Sequence, residues 1–304
     1  MTTAVAIFLY RRPPLARRLL SLLQAERPQR IWLVADGPKN RSEEQLCQET
    51  RQEAEAAVIW PCDLRRVYAD TNLGLRKRLE SGLNEVFTHE SEAILLEEDC
   101  HPEPDFFPFC RSMLERYREE PRVAGISGNC FLPATARVST DYFFSRYLHI
   151  WGWATWARAW KGYDRSQWSW PFGGFQSFFP GTRQDETNYW NRIFKRVGSG
   201  EIDTWDYRWL SHLWSEGQVA ITPGQNLVQN RGFGSGATHT VDPSVEVGIE
   251  RNGRLHPPYR GPTKIEADSG LDRMVFLNHF LRTEGRLPLL PRLFRSLKKR
   301  LGLV

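Results

Sequence analysis

The chain has 304 residues, enough to bury a core as one large domain or two small ones. Hydrophobic content of 40% and charged content of 25% exclude wholesale disorder, and no apolar stretch is long enough to span a bilayer. A net charge of +5 and a pI near 9.0 suit anionic partners, but no basic, aromatic-interleaved tract resembles a nucleic-acid module, so nucleic acid is not expected as a partner.

The first 130 residues alternate short apolar runs with helical spacing. The run Ala4–Leu9 reads as a strand leading to Arg11 and Arg12. Leu15, Leu19, Leu22 and Leu23 then repeat as on one face of a helix. A second strand, Ile31–Ala35, ends at Asp36-Gly37, and Ser42 with Gln45 reads as a capping box for the next helix. Ala57–Trp60 is expected to be the third strand. After the turn Asn72-Leu73-Gly74, the helical residues Leu79, Leu83, Val86 and Phe87 follow the cations Arg76, Lys77 and Arg78. The strand Ala93–Leu96 runs into Glu97-Glu98-Asp99, and Val123–Ile126 is a further strand. This alternation predicts an α/β fold with a mostly parallel, doubly wound sheet.

The acidic triplet carries the most chemistry. A buried strand that stops in three carboxylates brings them to the sheet edge, where open α/β sheets bind ligands. Such acids repel one another unless a cation or a ligand's donors compensate, and Mg²⁺ or Mn²⁺ suits carboxylate and phosphate oxygens. Asp36 ends a neighbouring strand and reads either as an acceptor for a base N–H or sugar hydroxyl, or as part of a plain turn. Arg76, Lys77 and Arg78 read as contacts for a diphosphate or as a solvated face.

The second half differs in texture. Ten of twelve tryptophans follow residue 150, in blocks such as Trp151-Gly152-Trp153-Ala154-Thr155-Trp156 and Trp205-Asp206-Tyr207-Arg208-Trp209. They fit a Trp-rich core, and a few fit aromatic platforms for sugar rings. Asp206 between two aromatic residues reads as a general base or as a helix-start acid, with Asp203-Thr204 able to cap. The segment from Asn226 to Gly234 is glycine-punctuated and leads to Thr238-His239-Thr240, where His239 reads as a phosphate or metal contact or as a structural histidine.

The last stretch, Leu287 to Val304, combines Leu293, Phe294, Leu297 and Leu301 with five cations. It reads as a basic amphipathic helix, lying either on an anionic membrane surface or docked on the domain. Five cysteines (Cys47, Cys62, Cys100, Cys110 and Cys130) form an odd set without metal-type spacing, which points to a reducing compartment. With no signal-peptide profile at the N-terminus, a cytoplasmic protein is expected, with the tail able to reach the inner face of a membrane.

Together these segments resemble nucleotide-sugar-dependent glycosyltransferases of the GT-A fold. The strand ending in Glu97-Glu98-Asp99, the Trp151-Gly152-Trp153 block and Trp205-Asp206 are ordered as in the animal N-acetylglucosaminyltransferase I family. The blocks Trp-Gly-Trp-Ala-Thr-Trp and Asn-Leu-Val-x-Asn-x-Gly-Phe-Gly…Thr-His-Thr are similar to bacterial glycosyltransferases described as hemolytic-protein-like. The resemblance runs from about Val5 to about Thr240. It implies a single domain over residues 1–265, with a nucleotide-sugar half (1–130) and a Trp-rich acceptor-side half (131–265), and a helical extension over 266–304.

Carried over by position, the resemblance makes Asp99 the principal metal ligand and Glu98 a ribose or metal-shell contact with Glu97 beside it. Asp36 would meet the uracil, Arg11 and Arg76 the nucleotide diphosphate, and Trp153 and Trp205 the sugar. Asp206 would be the base, and His239 a further metal or phosphate contact. The implied activity is inverting sugar transfer from a UDP-sugar, with Mn²⁺ or Mg²⁺, to a glycan or lipid-linked saccharide. Two departures stand out: glutamate at the middle of the triplet in place of aspartate, and Tyr207-Arg208 after the base in place of a second acid. A sugar nucleotidyltransferase would carry a glycine-rich loop after the first strand, where this chain has Arg11-Arg12-Pro13-Pro14. A carbohydrate-binding protein that kept the fold without turnover is the non-enzymatic alternative.

Overall fold

Six buried residues, Ala4–Leu9, form the first strand, β1. This computed structural model describes residues 3–163, 170–232, 251 and 253–283. Pro13 and Pro14 open α1 (Pro13–Leu23), where a missing N–H leaves no helical hydrogen bond unmade. Ala16, Leu19, Leu20 and Leu23 give α1 one buried face. Next come β2 (Arg30–Ala35), α2 (Arg41–Ala56), β3 (Asp63–Tyr68), α3 (Leu75–His89) and β4 (Glu92–Glu97). Residues Ala93 to Leu96 of β4 are at most 1% exposed, as a strand covered on both faces requires.

The chain continues through β5 (Cys100–Pro102), α4 (Phe106–Arg116), β6 (Val123–Ser127), β7 (Tyr142–Ser145) and β8 (Trp153–Trp156). The helices α5 (Ala157–Lys161), α6 (Phe175–Phe178), α7 (Gln184–Gly198) and α8 (Asp206–Ser215) follow. Then come β9 (Val219–Pro223), β10 (Val228–Asn230) and α9 (Ser269–Val275), which runs into a π-helical turn at Phe276–Phe280.

Among the described residues, eight strands form one sheet in the order β3-β2-β1-β4-β8-β6-β9-β7. Only β8 and β7 run against the other six. This is the mostly parallel, doubly wound α/β sheet that the strand–helix alternation predicts. Alternate residues of the central strands feed opposite cores. Ala4, Ala6, Ala93 and Leu95 face α3, α7 and α8, while Val5, Ile7, Ile94 and Leu96 face α1 and α4. Leu271, Val275, Phe276 and Phe280, beyond residue 265, belong to the first of these cores.

Two local expectations change. The third strand is not Ala57–Trp60 but Asp63–Tyr68, because β3 is a sheet edge carrying Asp63, Arg65 and Arg66 and so lacks an apolar run. Ala57 instead closes α2, its N–H bonded to the Glu53 carbonyl, and Trp60 donates its ring N–H to the Pro28 carbonyl. The cap of α2 is Asn40, whose side chain accepts from Ser42 N, while Gln45 turns outward to Glu49. Within the Trp-Gly-Trp-Ala-Thr-Trp block, to which the sequence pattern assigns no element, Trp153–Trp156 is the strand β8 between β4 and β6.

A buried charge cluster fixes α9 to the sheet. The Asp272 carboxylate accepts from Ser145 Oγ at 2.5 Å and from both the backbone N and Nε of Arg146 at 3.1 Å. Arg146 also lies 3.6 Å from Glu186 on α7. Removing one member strands a buried charge, so Asp272→Ala should lower unfolding free energy by about 3–5 kcal/mol in urea titration. A loss below about 1 kcal/mol would show that the cluster does not hold α9.

Candidate active site

Because β1, β2 and β4 are parallel, their C-terminal ends share one edge of the sheet, and a cleft of about 600 Å³ opens there. It is lined by Asp36, Glu97, Glu98, Asp99, Trp205 and Asp206 among the residues singled out from the sequence. Arg11, Arg76 and Trp153 do not line it. His239 and the basic tail lie outside the described residues.

Asp36 is 5% exposed, and both its oxygens are engaged. Oδ1 accepts from Gly37 N and Leu73 N at 2.9 Å, and Oδ2 from Asn72 Nδ2 at 2.9 Å and Gly74 N at 3.1 Å. The carboxylate thus pins the turn that starts α3 to the end of β2. Gly74 sits at φ +81°, a conformation that favours glycine, and a Cβ on Gly37 would come within 2.5 Å of the Thr71 backbone. These bonds fit the turn reading of Asp36: it lines the cleft, but both its oxygens are committed to the turn that forms the cleft's wall and not to a ligand.

The acidic triplet is organised by Arg12. Its Nε donates to Glu98 Oε1 at 2.7 Å and its Nη1 to Asp99 Oδ2 at 3.1 Å. Glu98 Oε2 accepts from Tyr10 N at 2.7 Å, so both oxygens of Glu98 are committed. Among the described residues nothing donates to the Glu97 carboxylate. Withdrawal from water, then the charge of Asp99, then those of Asp206 and Glu98, push the Glu97 carboxyl up to about 8, against the pull of Arg12. Burial likewise raises Glu98 to about 7, with Arg12 and the Tyr10 N–H opposing.

The small sheet β5–β10 delivers a second chain segment to this cluster. Asn230 pairs with Cys100, and Arg231 N donates to the Asp99 carbonyl at 2.8 Å. Gly232 then passes so close to Asp99 that a Cβ there would lie 2.2 Å from Oδ2.

The cleft is also lined by residues of α3 and by Lys39. Leu75, Arg78 and Leu79 of α3 face the cleft at helical spacing, with Lys39 beside them. Arg78 is 7% exposed, and neither its Nε nor its Nη2 has a partner. Burial pulls its proton affinity below that of a free arginine, with Asp36 opposing. An arginine held this way is an anion receptor, and the uncapped first turn of α3 adds backbone N–H groups.

The far end belongs to the Trp-rich half. Asp206 begins α8, and the Thr204 hydroxyl donates to its Oδ1. Trp205 lines the cleft and stacks at 5.6 Å on Trp153, which is 4% exposed in β8 and supports it from behind. Arg76 pairs with Asp203 and, at 3.4 Å, with Glu80, joining α3 to the segment before α8. Arg11 turns away from the cleft to Glu43 at 2.8 Å.

Of the three cations Arg76, Lys77 and Arg78 read as diphosphate contacts or a solvated face, Arg78 lines the cleft; the sequence reading did not single out Arg12, Lys39, Asn72, Trp151 or Asn230 as site residues, yet these five line it too. For Arg12 and Arg78 a signal existed. The two-residue alternation of β1 continues through Phe8, Tyr10 and Arg12, and Arg78 shares the helical face of Leu75 and Leu79.

No three His, Cys, Asp or Glu side chains among the described residues are arranged to hold an ion by themselves. The donors still open, Glu97 and Asp99 Oδ1, suit a cation that completes its shell with phosphate oxygens, as Mg²⁺ commonly does.

No protein-family model matches the chain, and no curated protein does. Similar solved structures include HddC from Yersinia pseudotuberculosis, 13% identical over 60% of this chain and 87% of its own, with a TM-score of 0.33. Another is the galactosyltransferase LgtC in complex with donor and acceptor sugar analogues, 10% identical over 90% and 94%, with a TM-score of 0.35. A third is UDP-glucose pyrophosphorylase complexed with UDP-glucose, 12% identical over 48% and 63%, with a TM-score of 0.27. Likenesses this distant carry no argument about activity, which rests on the cleft itself.

The carboxylate cluster makes stability depend on pH. Glu97 and Glu98 hold protons more tightly folded than unfolded, so their contribution is fully present below about pH 4.5 and is lost as pH rises through about 7–8. Glu97→Gln should therefore raise the melting temperature of the ligand-free protein at pH 9 and leave it nearly unchanged at pH 5. Equal shifts at both pH values would contradict this electrostatic picture.

Proposed function

We propose that this chain is a metal-dependent inverting glycosyltransferase, moving a sugar from a nucleotide-diphosphate donor, a UDP-sugar, to a saccharide hydroxyl. One observation carries the reading. A single cleft is lined both by a buried arginine whose Nε and Nη2 have no partner and by a carboxylate cluster with Asp206. A nucleotide sugar has the matching polarity: an anionic diphosphate for Arg78, Lys39 and the start of α3, and a reacting sugar carbon beyond it.

In this arrangement Asp206, oriented by the Thr204 hydroxyl, takes the acceptor proton as that oxygen attacks the anomeric carbon from the face opposite the diphosphate. Arg78 and the α3 backbone hold the departing diphosphate and the charge it gains. Trp205, 2% exposed and stacked on Trp153, is a packed part of the cleft wall near Asp206. Mn²⁺ or Mg²⁺ would be held by Asp99 with Glu97, because both oxygens of Glu98 are already bonded, and would neutralise leaving-group charge when bound. Glu98 then works by holding Arg12 and the end of β1 in place.

The alternative of nucleotidyl transfer gains nothing from the chain after β1, which enters α1 directly at Pro13 with no glycine loop.

Incubation with a panel of nucleotide sugars, Mn²⁺ and saccharide acceptors should release nucleoside diphosphate. Asp206→Asn should slow that release by about 10²–10⁴-fold with nucleotide binding retained. Release of pyrophosphate would replace this reading with nucleotidyl transfer, and an Asp206→Asn enzyme with full turnover would remove Asp206 as the base.

A further inference from the structure

Arg12 occupies the position from which a cation would normally neutralise the triplet. Its guanidinium spans Glu98 and Asp99, at 2.7 and 3.1 Å, and is largely shielded, with 22% of the side chain exposed. It cannot shed its charge at any physiological pH. A divalent ion approaching Asp99 therefore meets a fixed positive charge bonded to the same carboxylate, and finds one oxygen of Asp99 already taken.

The rest of the surroundings do not compensate. Both oxygens of Glu98 already accept a hydrogen bond, the Asp99 carbonyl is bonded to Arg231 N, and Gly232 closes over Oδ2. The protein oxygens free of a hydrogen bond are thus those of Glu97 and Oδ1 of Asp99, well short of the six that Mg²⁺ or Mn²⁺ prefers. A nucleotide diphosphate changes both terms. It brings phosphate oxygens for the ion and negative charge to offset Arg12.

We infer that Arg12 is an internal counter-cation that makes metal binding contingent on the nucleotide, so that the ion enters as its diphosphate complex and is held weakly without it. This rests on the donor site proposed above. Arg12 is a positioning residue here, acting on the ion through Asp99 and Glu98 and not through the reacting atoms.

The test is binding of Mn²⁺ to the full chain, read from the electron paramagnetic resonance of the free ion, with and without UDP. The wild-type protein should bind Mn²⁺ at least about tenfold more tightly with UDP than without it. Arg12→Met should bind Mn²⁺ alone about tenfold more tightly than wild type, whereas Arg12→Lys, which keeps the charge, should stay close to wild type. Equal wild-type affinity with and without UDP overturns the inference whatever the variants do, and leaves the donor site standing. Failure of every protein to take up Mn²⁺ even with UDP overturns the metal-dependent donor site as well.

Discussion

Four carboxylates, Glu97, Glu98, Asp99 and Asp206, share the mouth of one cleft, and a single bonded arginine stands among them. Like charges drawn out of water resist ionising together, and the cluster responds in the ways physics allows. Two of its carboxyls shift toward the protonated form, Glu98 takes a backbone N–H from Tyr10, and Arg12 bridges two members. Tension of this kind has a stability cost, which is why the cluster reads as a binding device and not as a surface turn.

The fold gathers the cluster by simple means. Parallel β1, β2 and β4 end on one edge, so residues far apart in the chain meet there. The Asp36 clamp fixes the start of α3 and thereby the aim of Arg78. Arg76 with Asp203, and the ring N–H of Trp160 on Asn84, join α3 to the Trp-rich half that carries Asp206. The tryptophans serve mainly as packing: Trp190, Trp209 and Trp214 fill the core, while Trp205 and Tyr207 both pack against it and line the cleft.

Sequence reasoning reached the strands that are apolar because they are central, β1, β2, β4 and β6. It missed β3, whose place at the sheet edge leaves it charged, and it assigned no strand at β8, where tryptophan and glycine mask a short antiparallel strand. The acid triplet stood out because charges ending an apolar run are improbable without a use, and Asp206 because it lies between two aromatic residues. Arg12 was harder, since choosing between adjacent arginines depends on which side of β1 continues into the cleft. The engagement of Asp36 by four donors was invisible, because two of them are backbone groups supplied by a turn more than thirty residues later.

The central claim is that the lone buried cation of α3 receives a nucleotide diphosphate in the cleft it shares with the carboxylates. Calorimetric titration of UDP in the presence of Mn²⁺, on wild-type protein and on Arg78→Leu, tests it most directly. Loss of charge-assisted hydrogen bonds to the diphosphate should weaken binding by about tenfold or more in the variant, with the fold intact by circular dichroism. Unchanged affinity in a folded Arg78→Leu protein would contradict the account.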